Sequence, residues 1–98
     1  MIKVVAKNIV QQDKIGEFKE KVNELIEKTR QEDGVIFYEL YQDLKDPQVL
    51  TFIEGWESKG ALDAHMQTEH FQRIVPQLSN LLIEGMEESE VNIYRQVK

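Results

Sequence analysis

The chain has no cysteine. That single absence removes disulfide scaffolds, thiolate metal sites and cysteine nucleophiles together. No apolar run approaches the length of a membrane span, and the opening MIKVVAKNIVQQD lacks a cationic leader with a long apolar segment. No signal peptide or membrane partner is therefore expected, and the cytoplasm is the expected location. The five glycines, Gly16, Gly34, Gly55, Gly60 and Gly85, never fall in a G-x-G turn, so flavin and nicotinamide binding have no support. Positive charge is also scarce: 12 Lys and Arg stand against 18 Asp and Glu, a net charge of −6, and no basic cluster offers itself to nucleic acid.

What is present is a regular order of elements in 98 residues, read as a single domain spanning 1–98. Ile2 to Val10 alternates, with Ile2, Val4, Ala6, Asn8 and Val10 on one face. From Asp13 to Gln31 the period changes to three and four, through Ile15, Phe18, Val22, Leu25, Ile26 and Thr29, the stripe of an amphipathic helix that Gly34 would stop. Val35–Asp43 and Val49–Trp56 read as strands joined by the turn-forming LKDPQ, hence a hairpin. Ser58 and Thr68 are candidate N-caps for two helical segments. A kink or restart is expected at Pro76. Val91 to Val97 alternates as a last strand.

The order β-α-β-β-α-β specifies an α+β, ferredoxin-like sandwich: a four-stranded antiparallel sheet with helices on one face. Residues 49 to 53 (VLTFI) leave both faces of one strand apolar. Helices can cover only one of them, so a homodimer packed sheet against sheet is expected.

The only tryptophan and both histidines fall within EGWESKGALDAHMQTEHFQ, Glu54 to Gln72. Histidine suits proton transfer near neutral pH, so His65 and His70 are the candidate bases. Asn8 breaks an apolar strand face, and its amide could hold a carbonyl or an oxygen species. Equally, Trp56 could be a plain core anchor, and each histidine could merely tie a helix end. A metal site is not expected, because an i, i+5 spacing turns the two histidines about 140° apart on a continuous helix. Only a break near Gln67–Thr68 would let them converge.

The run FIEGWES, then AL, His65 and QTEHF resembles the antibiotic biosynthesis monooxygenase family, small dimeric α/β-barrel proteins. The match falls on Glu54, Trp56, Ala61, Leu62, His65, His70 and Phe71, and on the hairpin DLKDPQVLTF. The resemblance implies oxidation of a phenolic or quinol-type aromatic by O2, with no metal, flavin or other cofactor. On that reading His65 or His70 deprotonates the substrate and Asn8 orients it, while Trp56, Glu54, Tyr38 and Phe71 border the pocket. Haem-degrading relatives use an Asn on the first strand, a Trp on the helix after Glu-x-Trp and a His further on. Asn8 fits, but His65 and Val75 occupy the other two places, so haem degradation is not expected. The alternatives are isomerisation of a small carbonyl compound and a non-catalytic small-molecule-binding domain.

Overall fold

The computed structural model describes all 98 residues. Strand β1 (Ile2–Ile9) leads through a 3-10 turn (Gln12–Lys14) into α1 (Ile15–Thr29). The hairpin β2 (Val35–Gln42) and β3 (Val49–Trp56) follows, then α2 (Lys59–Met66), α3 (Glu69–Ser79) and β4 (Glu90–Arg95). The sheet is antiparallel throughout, in the order β2-β3-β1-β4. This is the ferredoxin-like α+β fold, with its second helix split in two.

Strand alternation sorts the sheet as its sequence dictates. Val4, Ala6, Asn8, Leu50, Phe52, Glu54 and Trp56 are buried toward the helices, against Phe18, Val22 and Leu25 of α1 and Ile74 and Leu78 of α3. Register assembles them into rungs. Tyr38, Glu54, Val4 and Ile93 cross the sheet in one row, and Leu40, Phe52, Ala6 and Val91 in the next. The opposite face carries half-buried Val5, Ile9, Phe37, Thr51 and Ile53, and no helix covers it. Phe37 lies over Gly55, where any Cβ would come within 2.5 Å of its ring.

Turn and cap chemistry fixes the connections. The Asp43 carboxylate accepts from the backbone N–H groups of Lys45 and Asp46, both at 2.9 Å, which closes the hairpin loop. Ser58 Oγ accepts from Ala61 N at 3.1 Å to start α2, and Thr68 Oγ1 accepts from Phe71 N at 3.3 Å to start α3. Thr68 adopts an extended conformation (φ −68°, ψ 154°), so the helix breaks between the two histidines.

Several boundaries differ from expectation; β1 ends at Ile9 rather than Val10, and β2 at Gln42 rather than Asp43. α3 runs through Pro76 to Ser79 without restarting. Pro76 and Gln72 are both exposed, so water can satisfy the Gln72 carbonyl that the proline leaves without a donor. α1 is shorter than Asp13 to Gln31 because Lys14 (φ −114°, ψ 3°) departs from helical geometry. β4 ends at Arg95 rather than Val97, since Arg95 pairs with Ile2, the first residue of β1.

Gly34 joins these parts. Its φ of +84° is open to glycine, and a Cβ there would lie 2.6 Å from the Ala61 Cβ at the start of α2. Its carbonyl accepts from Glu57 N at 2.8 Å. Gly34→Ala is expected to cost about 2 kcal/mol or more, combining left-handed strain with that close contact. Gly85→Ala, at φ +88° with open space around it, should cost only about 1 kcal/mol. Thermal unfolding of both variants checks the order, and equal losses would contradict the role given to Ala61.

Candidate active site

The sheet rungs form one wall of a cavity of about 740 Å³; α2, α3 and the loop before β4 form the others. Asn8, Tyr38, Glu54, His65 and Phe71 all line it. His70 and Trp56 do not.

His65, at the end of α2, is 1% exposed. Its Nδ1 lies 2.8 Å from Glu32 Oε2, and His70 Nε2 lies 2.7 Å from the same oxygen. The break at Thr68 is the condition under which an i, i+5 pair can converge, and here it is met. Glu32 belongs to no sequence pattern. It lies in the turn after α1, two residues before Gly34, which sits close against Ala61 of α2. With the carboxylate accepting, His65 carries its proton on Nδ1, and Nε2 is the open nitrogen of a ring that lines the cavity. His70 meets the same oxygen without lining the cavity, so the cavity has one histidine and the carboxylate has two.

Packing holds this imidazole from three sides. The Trp56 ring lies 4.6 Å from it, Phe71 meets it at 5.0 Å edge-on, and Tyr38 at 5.4 Å. Thr68 Oγ1 donates to the His65 carbonyl at 2.7 Å. Burial pushes the His65 pKa below its ordinary 6.5, while the hydrogen bond and charge of Glu32 act the other way. The neutral imidazole, able to accept a proton, is thereby favoured.

Trp56 was expected to wall the pocket. Instead, fully buried, it backs His65 and donates from Nε1 to Glu54 Oε1 at 3.0 Å. Asn8 does line the cavity, but its amide nitrogen donates to the carbonyls of Leu50 at 3.0 Å and Ala6 at 3.2 Å. Ser89 Oγ donates to its Oδ1. Asn8 therefore offers an incoming ligand an acceptor lone pair rather than the amide donor expected of it. Arg73 is taken up by Glu24 and Glu69 outside the cavity.

The donor atoms of Glu32, His65 and His70 lie within 4.8 Å of one another, close enough to consider a metal ion. The fit is poor. Both facing nitrogens already lie at hydrogen-bond distance from Glu32 Oε2, at 2.8 and 2.7 Å. The geometry is that of two N–H groups donating to one carboxylate.

Glu54 is 5% exposed on the cavity floor. Burial pushes its carboxyl up to about 7, against the lowering effect of the Trp56 hydrogen bond and with help from the Glu32 charge. Between its ordinary 4.5 and about 7, the unfolded chain has released this proton while the folded chain still holds it. Stability contributed by Glu54 thus falls as pH rises through that window and stays lost above it. Glu54→Gln keeps the oxygen that accepts from Trp56 and removes the titration. The variant is expected to match the parent near pH 4 and to exceed its stability by on the order of 3 kcal/mol near pH 8. Calorimetric unfolding at both pH values checks this; a variant less stable at the higher pH would contradict it.

Residues 1–77 match the family model described as antibiotic biosynthesis monooxygenase. Over 97% of its length the chain is similar to the crystal structure of a conserved protein from Methanosarcina mazei Go1, with 45% identity and a TM-score of 0.92, covering 91% of that chain. A solved antibiotic biosynthesis monooxygenase superposes over the whole of both chains with 37% identity and a TM-score of 0.90. The uncharacterized protein sll1783 of Synechocystis sp. (strain ATCC 27184 / PCC 6803 / Kazusa) is 38% identical over 94% of this chain. The match spans 61% of that relative's own length. The matched motif, the shared fold and these relatives together place the chain in the antibiotic biosynthesis monooxygenase family.

Proposed function

We propose that the protein is a cofactor-independent monooxygenase that oxidises a phenolic or quinol-type small molecule with O2, and that His65 is its base. The observation that carries this reading is the open Nε2 of a buried imidazole whose Nδ1 is held by Glu32 at 2.8 Å. A phenolate can pass an electron to O2 without a prosthetic group, so the protein need supply only a base, a fixed orientation and a dry cavity. For a simple phenol oxidised to a quinone, one oxygen atom enters a ring carbon. The other leaves as water, with the phenolic hydrogen and the hydrogen of that carbon. His65 takes the phenolic proton and can return it to the departing oxygen. Tyr38, Phe52 and Phe71 supply an aromatic lining, and Asn8, held by Leu50, Ala6 and Ser89, marks one end of the cavity.

Glu32 acts as a positioning residue, by fixing the tautomer and the tilt of the ring. His70 shares that oxygen and steadies the carboxylate. A homodimer would cover the uncovered sheet face, where Tyr41 and Tyr94 are about half exposed beside Val5, Phe37 and Ile53. No helix is long and apolar enough to cross a membrane, and without cysteine nothing in the chain depends on an oxidising compartment. Both points support a cytoplasmic enzyme.

Oxygen uptake with hydroquinones and dihydroxynaphthalenes, above autoxidation, tests the reading. His65→Ala should lower turnover by about a hundredfold or more, and His70→Ala by less. The acid limb of kcat/KM should lie below the ordinary histidine value of 6.5. In Glu32→Gln it should move lower still, because the raising influence of the carboxylate is gone, and kcat should fall while KM changes little. Chelators should leave the rate unchanged. Absence of uptake across the panel, with product formed under nitrogen instead, would replace this reading with an isomerase.

A further inference from the structure

The cavity has a charge character that the proposed chemistry does not require. Glu54 lies buried on its floor, and Glu87 and Glu88 stand at its mouth in the loop before β4. Ser89, next in that loop, donates to Asn8 and anchors the segment to β1. No lysine or arginine lines the cavity. The basic residues nearby are committed elsewhere. Arg73 and Lys28 pair with Glu24, Arg30 donates to the Tyr38 carbonyl at 3.2 Å on the far side of β2, and exposed Lys3 and Lys7 alternate onto the other face of the sheet. The one cavity group that could become a cation, His65, is held toward its neutral form by burial. Its unpartnered ring nitrogen still marks the cavity as a place built for a ligand.

We propose that this cavity selects its substrate by charge. It admits neutral or cationic aromatic alcohols and amines and excludes aromatics bearing a carboxylate, sulfonate or phosphate. Above about pH 7, where Glu54 is ionised, an anion entering would lose its water while facing three carboxylates with no basic side chain to receive it. A hydroxyl or ammonium donor instead finds acceptors in His65 and Asn8. The proposal rests on the cavity being the substrate site described above, and it names the class of molecule that the site takes. Glu87 and Glu88 are exposed, so their share of the exclusion is screened by salt; the share from buried Glu54 persists.

Calorimetric binding under nitrogen, where no turnover can occur, provides the test. The probes share one ring and differ in charge: 2-naphthol, 2-naphthylmethylammonium and 2-naphthoate, near pH 8. The naphthol and the ammonium should bind, and the naphthoate should bind at least about tenfold more weakly. A Glu87→Gln, Glu88→Gln double variant should narrow that gap at low salt and leave a residual gap at high salt. Naphthoate binding as tightly as naphthol, an unchanged gap in the double variant, or no binding of any probe would overturn the proposal. Oxygen uptake, measured separately, keeps the two claims apart. Anionic quinols oxidised as fast as neutral ones would sink the charge selection and leave the oxygenase standing. Charge-ordered binding with no oxygen uptake would do the reverse.

Discussion

A single carboxylate oxygen, Glu32 Oε2, holds the functional end of the molecule together. It accepts from His65 on α2 and His70 on α3, and it belongs to the turn that joins α1 to β2. Three segments distant in sequence are thereby fixed to one point. Two backbone conditions make the arrangement possible. The extended conformation at Thr68 lets histidines five residues apart face the same oxygen, and positive φ at Gly34 lets the turn close against Ala61. The chemistry assigned to His65 follows from the same bond. A carboxylate at Nδ1 determines which ring nitrogen carries the proton, and so which nitrogen is free to accept one.

The cavity is polarised in a second sense. Burial pushes Glu54 up to about 7 and His65 below 6.5, so two titratable groups lining the cavity are both moved toward their uncharged forms. Shifts of this kind are costly to maintain and are common where protons are handled. Trp56 serves both groups at once, donating to Glu54 and stacking behind His65. Its burial satisfies the expectation of a core anchor. Its contacts also make it the support of the site, although it never reaches the cavity surface.

Much of the architecture is legible in the residues themselves. Strand alternation, the helical stripe of α1, the LKDPQ turn and the caps at Ser58 and Thr68 are short-range signals, and the fold reproduces them. The motif around Glu54, Trp56, His65, His70 and Phe71 points to the right region and the right family. What the sequence hides is tertiary. Glu32 lies in RQEDG, a polar turn by every local rule, and its meeting with His65 and His70 depends on long-range packing of that turn against α2 and α3. Nor could spacing separate the histidines, because which one meets the cavity depends on how α2 and α3 pack on the sheet. The amide of Asn8 was readable as buried, but its capture by Leu50, Ala6 and Ser89 depends on register and on a loop 81 residues away. Pro76 is the opposite case: a strong local signal for a break, overridden because that side of α3 faces water.

The central claim is that Glu32 sets the tautomer of His65 and leaves Nε2 as the acceptor in the cavity. Nitrogen-15 NMR of the histidine rings near neutral pH measures this directly, since protonated and unprotonated ring nitrogens resonate far apart. The account predicts a neutral His65 with the proton on Nδ1 and a bare Nε2, and loss of that single tautomer in Glu32→Gln. A His65 protonated on Nε2, or doubly protonated at neutral pH, would contradict it.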